Sequence, residues 1–206
     1  MKNLKFNNMT VELLADRINQ LIDVTDELIL YLKQCEQLYK KYRPNESSSY
    51  TQYATSEIPS MMRFLHCMFF YDVLLNINTL LDKVDKDLNK KEQSIYELSE
   101  FLQDEFIKEE ILNKADSLRF KFENYSLHIF RHKLDAHKDW IAAGDTTIMY
   151  LNFIKPEIIS ICEEIIKELK QICIKYFDVI TTNSFHQLYG KGFQKMVKLF
   201  EDELIK

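Results

Sequence analysis

The sequence predicts an all-α fold, an antiparallel helical bundle of four main long helices with short extra helices. Three observations predict it. The 206 residues hold only three Gly and three Pro, well below average usage, so long helices meet few breakers. Apolar residues recur at spacings of three and four over several long runs, which is the helical period. Hairpin signals such as Asn-Gly or Asp-Gly are absent.

At 46% hydrophobic residues the chain can bury a core, and its length suits one domain. Residues 1–206 are expected to form a single helical domain. Residues 1–9 are expected to be a flexible tail, 44–55 a mobile loop, and 193–206 an amphipathic C-terminal helix.

The elements follow in order. Thr10 is a candidate N-cap, and Glu12 suits the positive end of the helix dipole. Val11, Leu14, Ile18, Leu21, Thr25, Leu28, Leu32, Cys35, Tyr39 and Tyr42 make one seam of a long bundle helix, which Arg43-Pro44 stops. Ser56 and Pro59 open a second helix, expected to run from Ile58 to Val84. Its apolar residues fall nearly all round, so it is expected to be central, with Met61, Met62, Phe64, Met68, Phe69 and Phe70 in the core.

Residues 85–93 read as a charged turn. Ser94 and Glu97 then match a capping box that opens a short helix reaching about Gln103. A long helix is expected from Glu105 to Trp140, ended by Gly144-Asp145. Ile158, Cys162, Ile165, Leu169, Ile172 and Tyr176 form the stripe of a further helix after Pro156. Beyond a loop at 181–192, Phe193, Val197, Phe200 and Leu204 mark the final amphipathic helix.

The net charge of −5 argues against a non-specific coat for nucleic acid, whose phosphates are drawn to the opposite sign. A local basic site on an acidic body is compatible with it. Cys35, Cys67, Cys162 and Cys173 form no CxxC pair and no zinc-like spacing, so reduced, mostly buried thiols are expected. The N-terminal stretch has no apolar signal core. The greasiest run, Met61 to Leu81, is interrupted by Arg63, His66 and Asp72, which argues against a membrane span. A cytoplasmic protein with no membrane association is the expectation.

Reactive side chains are densest from His128 to Asp139. Arg131, His132, Lys133, Asp135 and His137 lie within seven residues. On one continuous helix, Leu118, Phe122, Tyr125, Ile129, Ala136 and Trp140 would cluster on one face and enter the core. Phe120, Leu127, Phe130 and Leu134 would form a second apolar patch, with Arg131 and His137 on either side of Leu134. His128, His132, Asp135 and Asp139 would make a polar strip beyond Arg131. A second apolar face needs a second partner, and two-fold pairing through it would bring two Arg131/His137 pairs towards one cleft.

Histidine can take and give a proton near neutral pH. Arginine presents a fixed charged fork suited to phosphate oxygens. Together they can cleave RNA without a metal. A histidine takes the ribose 2′-OH proton or delivers one to the leaving 5′-oxygen, and arginine stabilises the charge that builds on phosphorus. Spacing alone does not separate this chemistry from a surface salt-bridge arrangement. His128 and His132 at i,i+4 lack a clear third zinc ligand, and no metal or other cofactor is expected. His66 reads as a core histidine, and His186 falls in a loop. No GxGxxG, Walker-type, GxSxG or HExxH motif occurs.

The segment RHKLDAHKD, residues 131–139, resembles the signature of HEPN domains (higher eukaryotes and prokaryotes nucleotide-binding), an Arg followed after a polar residue and a few others by His. It is most similar to the abortive-infection AbiU-type branch, whose motif reads approximately R-[DN]-K-x-x-A-H-x-D. Arg131, Lys133, Ala136, His137 and Asp139 match it. The runs LLNINTLLDK (74–83) and SIYELSEFL (94–102) also resemble that branch, and the likeness spans roughly residues 10–180. It implies an α-helical bundle and a homodimer with facing motifs. It also implies a metal-independent endoribonuclease serving as a toxin in toxin–antitoxin or phage-defence systems, with RNA as substrate and an antitoxin protein as partner. Arg131 and His137 would be the catalytic pair and His132 the residue that positions Arg131. Lys133, Asp139 and His128 would support them. His132 departs from the commoner Asn or Asp, and Asp135 stands where an apolar residue is usual. The family also contains members without ribonuclease activity that act as interaction or dimerisation modules.

Overall fold

The computed structural model describes residues 11–42, 60–83, 93–125 and 156–177, with Lys195 and Lys198. Within its helices, the side chains of residues 35, 36, 38–42, 60–67 and 156 fall outside that description. The described residues are mostly helical and include no strand. The helices are α1 (Val11–Tyr42), α2 (Ser60–Leu80), α3 (Ile95–Ser99), α4 (Glu105–Asn124) and α5 (Pro156–Phe177).

α1 follows its sequence seam. Leu14, Ile18, Thr25 and Leu32 are buried, and Val11, Leu21 and Leu28 are half-buried beside them. Ala15, Ile22 and Ile29 widen the stripe, as the 3.6-residue period requires when a helix has neighbours on more than one side. Thr25 can be buried because its hydroxyl donates to the Leu21 carbonyl at 2.6 Å, which satisfies a polar group that water cannot reach.

α2 is shorter than its apolar run. It ends at Leu80, where the expected helix reached Val84, and Leu81 caps the turn by donating to the Ile77 carbonyl at 3.0 Å. Phe70, Val73, Leu74, Ile77, Leu80 and Leu81 are buried. Met68, expected in the core, is instead 44% exposed. An unbranched thioether on a helix flank loses little by facing water. Phe69 is half-buried against the Tyr31 ring, with centroids 5.8 Å apart.

The serine half of the expected capping box forms. Ser94 takes extended backbone angles and its hydroxyl accepts from the Glu97 N–H at 3.3 Å. α3 stops at Ser99 rather than near Gln103, because the N–H groups of Glu100, Phe101 and Leu102 donate to carbonyls three residues back, at 3.2, 3.3 and 3.1 Å, and so leave the α-helical ladder. Asp104 accepts from the N–H groups of Phe106 and Ile107 at 2.9 and 3.2 Å, covering two donors that a helix start leaves open.

α5 is described over Pro156–Phe177. Its predicted stripe is buried at Ile158, Cys162, Ile165, Leu169 and Ile172, and half-buried at Tyr176. α1 lies against α2, α3 and α5, and α5 also touches α2 and α4. Ion pairs tie α5 to α1 through Lys33–Glu163 and through Lys170 with Asp23 at 2.9 Å and Asp26 at 3.6 Å. A second set ties α5 to α4 through Lys121–Glu164 and Lys175–Glu110, the latter at 3.1 Å.

Cys162 and Cys173 are free, buried thiols. Burial pushes both up to about 12, so neither supplies a thiolate near neutral pH. Cys35 and Cys67 lie outside the described side chains. Among the described residues no helix is long and apolar enough to cross a membrane. Lys195 and Lys198 are helical and exposed. The rest of the expected C-terminal helix, including Phe193, Val197, Phe200 and Leu204, lies outside the described residues, as do the 1–9 tail and the 44–55 loop.

Two outcomes test this core. Ile165→Ala removes a fully buried side chain and is expected to lower unfolding free energy by about 2–5 kcal/mol in a denaturant titration. Ser94→Ala is expected to cost about 1 kcal/mol by the same measurement.

Candidate functional site

α4 is the described element that leads into the Arg131–His137 segment. Its core face is set by Ile111, Ala115, Leu118 and Phe122, all buried and spaced four, three and four residues apart. Leu118 and Phe122 therefore stand where the sequence placed them. Phe120 is 65% exposed, in keeping with its place off the core face.

The far end of α4 does not follow the sequence expectation. The helix predicted to reach Trp140 ends at Asn124. Tyr125 takes φ −85° and ψ 10°, and its N–H turns to the Glu123 carbonyl, a conformation typical of turns. Asparagine is a weak helix former that readily accepts such an end. Tyr125, expected in the core with Leu118 and Phe122, is 46% exposed. A residue that leaves the helical path no longer inherits the face its number assigns. For the same reason the two-face pattern cannot be carried from residues 118–122 across Tyr125 to residues 127–140.

His128, Arg131, His132, Lys133, His137 and Asp139 lie outside the described residues, as do Leu127, Phe130, Leu134 and Asp135.

What the described structure does show is how α4 is held before this segment. The Tyr96 hydroxyl donates to Asp116 Oδ1 at 2.7 Å. Lys83 reaches the same oxygen at 2.9 Å, and its Nζ lies 5.5 Å from the centre of the Tyr96 ring. Arg119 Nε donates to Glu123 at 2.7 Å, and its Nη1 to the Leu81 carbonyl at 3.4 Å. A guanidinium there also faces the negative end of the α2 dipole. One polar cluster thus joins the end of α2, α3 and the middle of α4. Apart from the i,i+4 pair Arg119–Glu123, nothing in sequence spacing marks it, since Lys83, Tyr96 and Asp116 come from separate parts of the chain.

The electrostatics of this cluster are those of a fastening. Lys83 holds the Asp116 carboxyl below the usual carboxylate range; burial opposes the shift and Tyr96 adds to it. Burial raises the Tyr96 phenol, and the Asp116 acceptor raises it further. Burial weighs against the Arg119 charge, but Glu123 outweighs it and the guanidinium is held more firmly protonated. None of these shifts moves a proton towards neutral pH, where general acid–base work requires it.

A second buried polar pair lies on α1. Glu27 is 8% exposed and accepts from the Tyr31 hydroxyl. Burial first, then Glu27, raises the Tyr31 phenol, so it too is a hydrogen-bonded core group rather than a base. Among the described residues no cluster of three or more His, Cys, Asp or Glu could hold a metal ion.

No protein-family model, curated protein or solved structure matches the chain.

The Asp116 cluster makes a prediction with a definite sign. Its folded pKa lies below the unfolded value of about 4, so the unfolded chain binds more protons in acid. The stabilisation is present above that value and lost as pH falls through the folded pKa. Asp116→Asn should therefore be less stable than the parent at pH 7 and converge with it at the acid end of a pH series of denaturant titrations. A difference that stays constant with pH would show that the Asp116 charge contributes nothing.

Proposed function

We propose that this chain is a metal-independent endoribonuclease of the HEPN type, acting in the cytoplasm as a toxin of a toxin–antitoxin or phage-defence system. The observation that carries it is Arg131 and His137 in the segment RHKLDAHKD, within a chain whose described residues are mostly helical. The fold that goes with it is an antiparallel bundle. Its support is the register of the ion pairs. On α1 and α5, Lys33 meets Glu163 while Asp23 meets Lys170; on α4 and α5, Lys121 meets Glu164 while Glu110 meets Lys175. In each case residue numbers rise along one helix as they fall along the other.

The ribose 2′-oxygen attacks the adjacent phosphorus as its proton is removed. The bond to the 5′-oxygen breaks as that oxygen gains a proton. The products are a 2′,3′-cyclic phosphate and a 5′-OH. His137 carries the proton transfer and Arg131 balances the charge that builds on the phosphoryl oxygens. His132 positions Arg131, and Lys133, Asp139 and His128 support the pair. The RNA strand is the substrate, and an antitoxin protein is the partner that restrains it. A homodimer brings two such pairs together, and Phe120 is proposed to take part in that pairing because it is exposed on α4, not because it shares one helical face with residues 127–134.

The deciding experiment incubates the purified protein with RNA in EDTA and maps the ends. Cleavage leaving 2′,3′-cyclic phosphate is expected, with His137→Ala reducing the rate by about 10²–10⁴-fold and Arg131→Ala also lowering it. Intact RNA, or cleavage that neither substitution alters, overturns the assignment. Induced expression should slow growth for the parent chain and spare it for both variants.

His132 and Asp135 favour a second function, a catalytically inactive HEPN-like module for interaction or dimerisation, because both depart from the residues usual at those places. In that case RNA stays intact while the dimer persists. Sizing with light scattering at micromolar concentration should give twice the chain mass for the parent and a shift towards monomer for Phe120→Glu. A monodisperse parent monomer would count against pairing in either function.

A further inference from the structure

We draw no further inference here: the strongest candidate, the solvent-facing stripe of α4 that carries Phe106 and Phe120 at 78% and 65% exposure, joins a residue already assigned to the proposed pairing face to one for which nothing in the structure shows what covers it.

Discussion

Ile158, Cys162, Ile165, Leu169 and Ile172 withdraw one side of α5 from water, and α1, α2 and α4 all lie against this helix. Burial of this kind is strong but has no direction. It requires that helices meet and leaves open how far one slides along another. The charged residues at the edges of the stripe narrow that choice. Glu163 and Lys170 meet α1, and Glu164 and Lys175 meet α4. Most of these side chains are partly exposed, so each pair adds little stability by itself. Their effect is on register, since a shift by one helical turn would leave every carboxylate opposite the wrong neighbour. Aliphatic burial and edge charge thus divide the work of placing α1 and α4 on α5.

α4 is fastened on two sides. Its aliphatic face enters the core, while Asp116 and Arg119 tie it to Tyr96, Lys83 and the Leu81 carbonyl. These links join the end of α2 to α4 across the short α3, and they hold the helix firmly up to Asn124. The backbone turn at Tyr125 ends α4 ahead of His128 in the sequence. α4 is thus an anchored stem as far as it is described, and the proposed chemistry belongs to residues that follow it in the sequence.

Much of the framework was legible in the residues. The stripes of α1 and α5 and the Ser94 cap follow from period and capping chemistry. Each of these depends on residues within a turn or two of one another. The candidate site was legible only as a pattern, Arg131 and His137 among other reactive side chains. Its supposed geometry depended on a helix running unbroken through residue 140. A helical wheel assumes continuity and cannot detect a turn at Asn124–Tyr125, where neither Gly nor Pro announces the end.

By itself the sequence determined the buried stripes of α1 and α5, the starts of α3 and α4, and many of the aliphatic residues that must leave water. It also determined that a basic, histidine-containing segment follows α4. Only the tertiary structure decided that α2 stops at Leu80, that α4 stops at Asn124, and that Met68, Phe106 and Tyr125 face solvent. It alone decided that Lys170 meets Asp23 and that Lys83 and Tyr96 converge on Asp116. The physical reason is range. Period and capping act over a few residues along the chain. The end of a helix, the exposure of a flank and the partner of a charge depend on which distant segment arrives beside them.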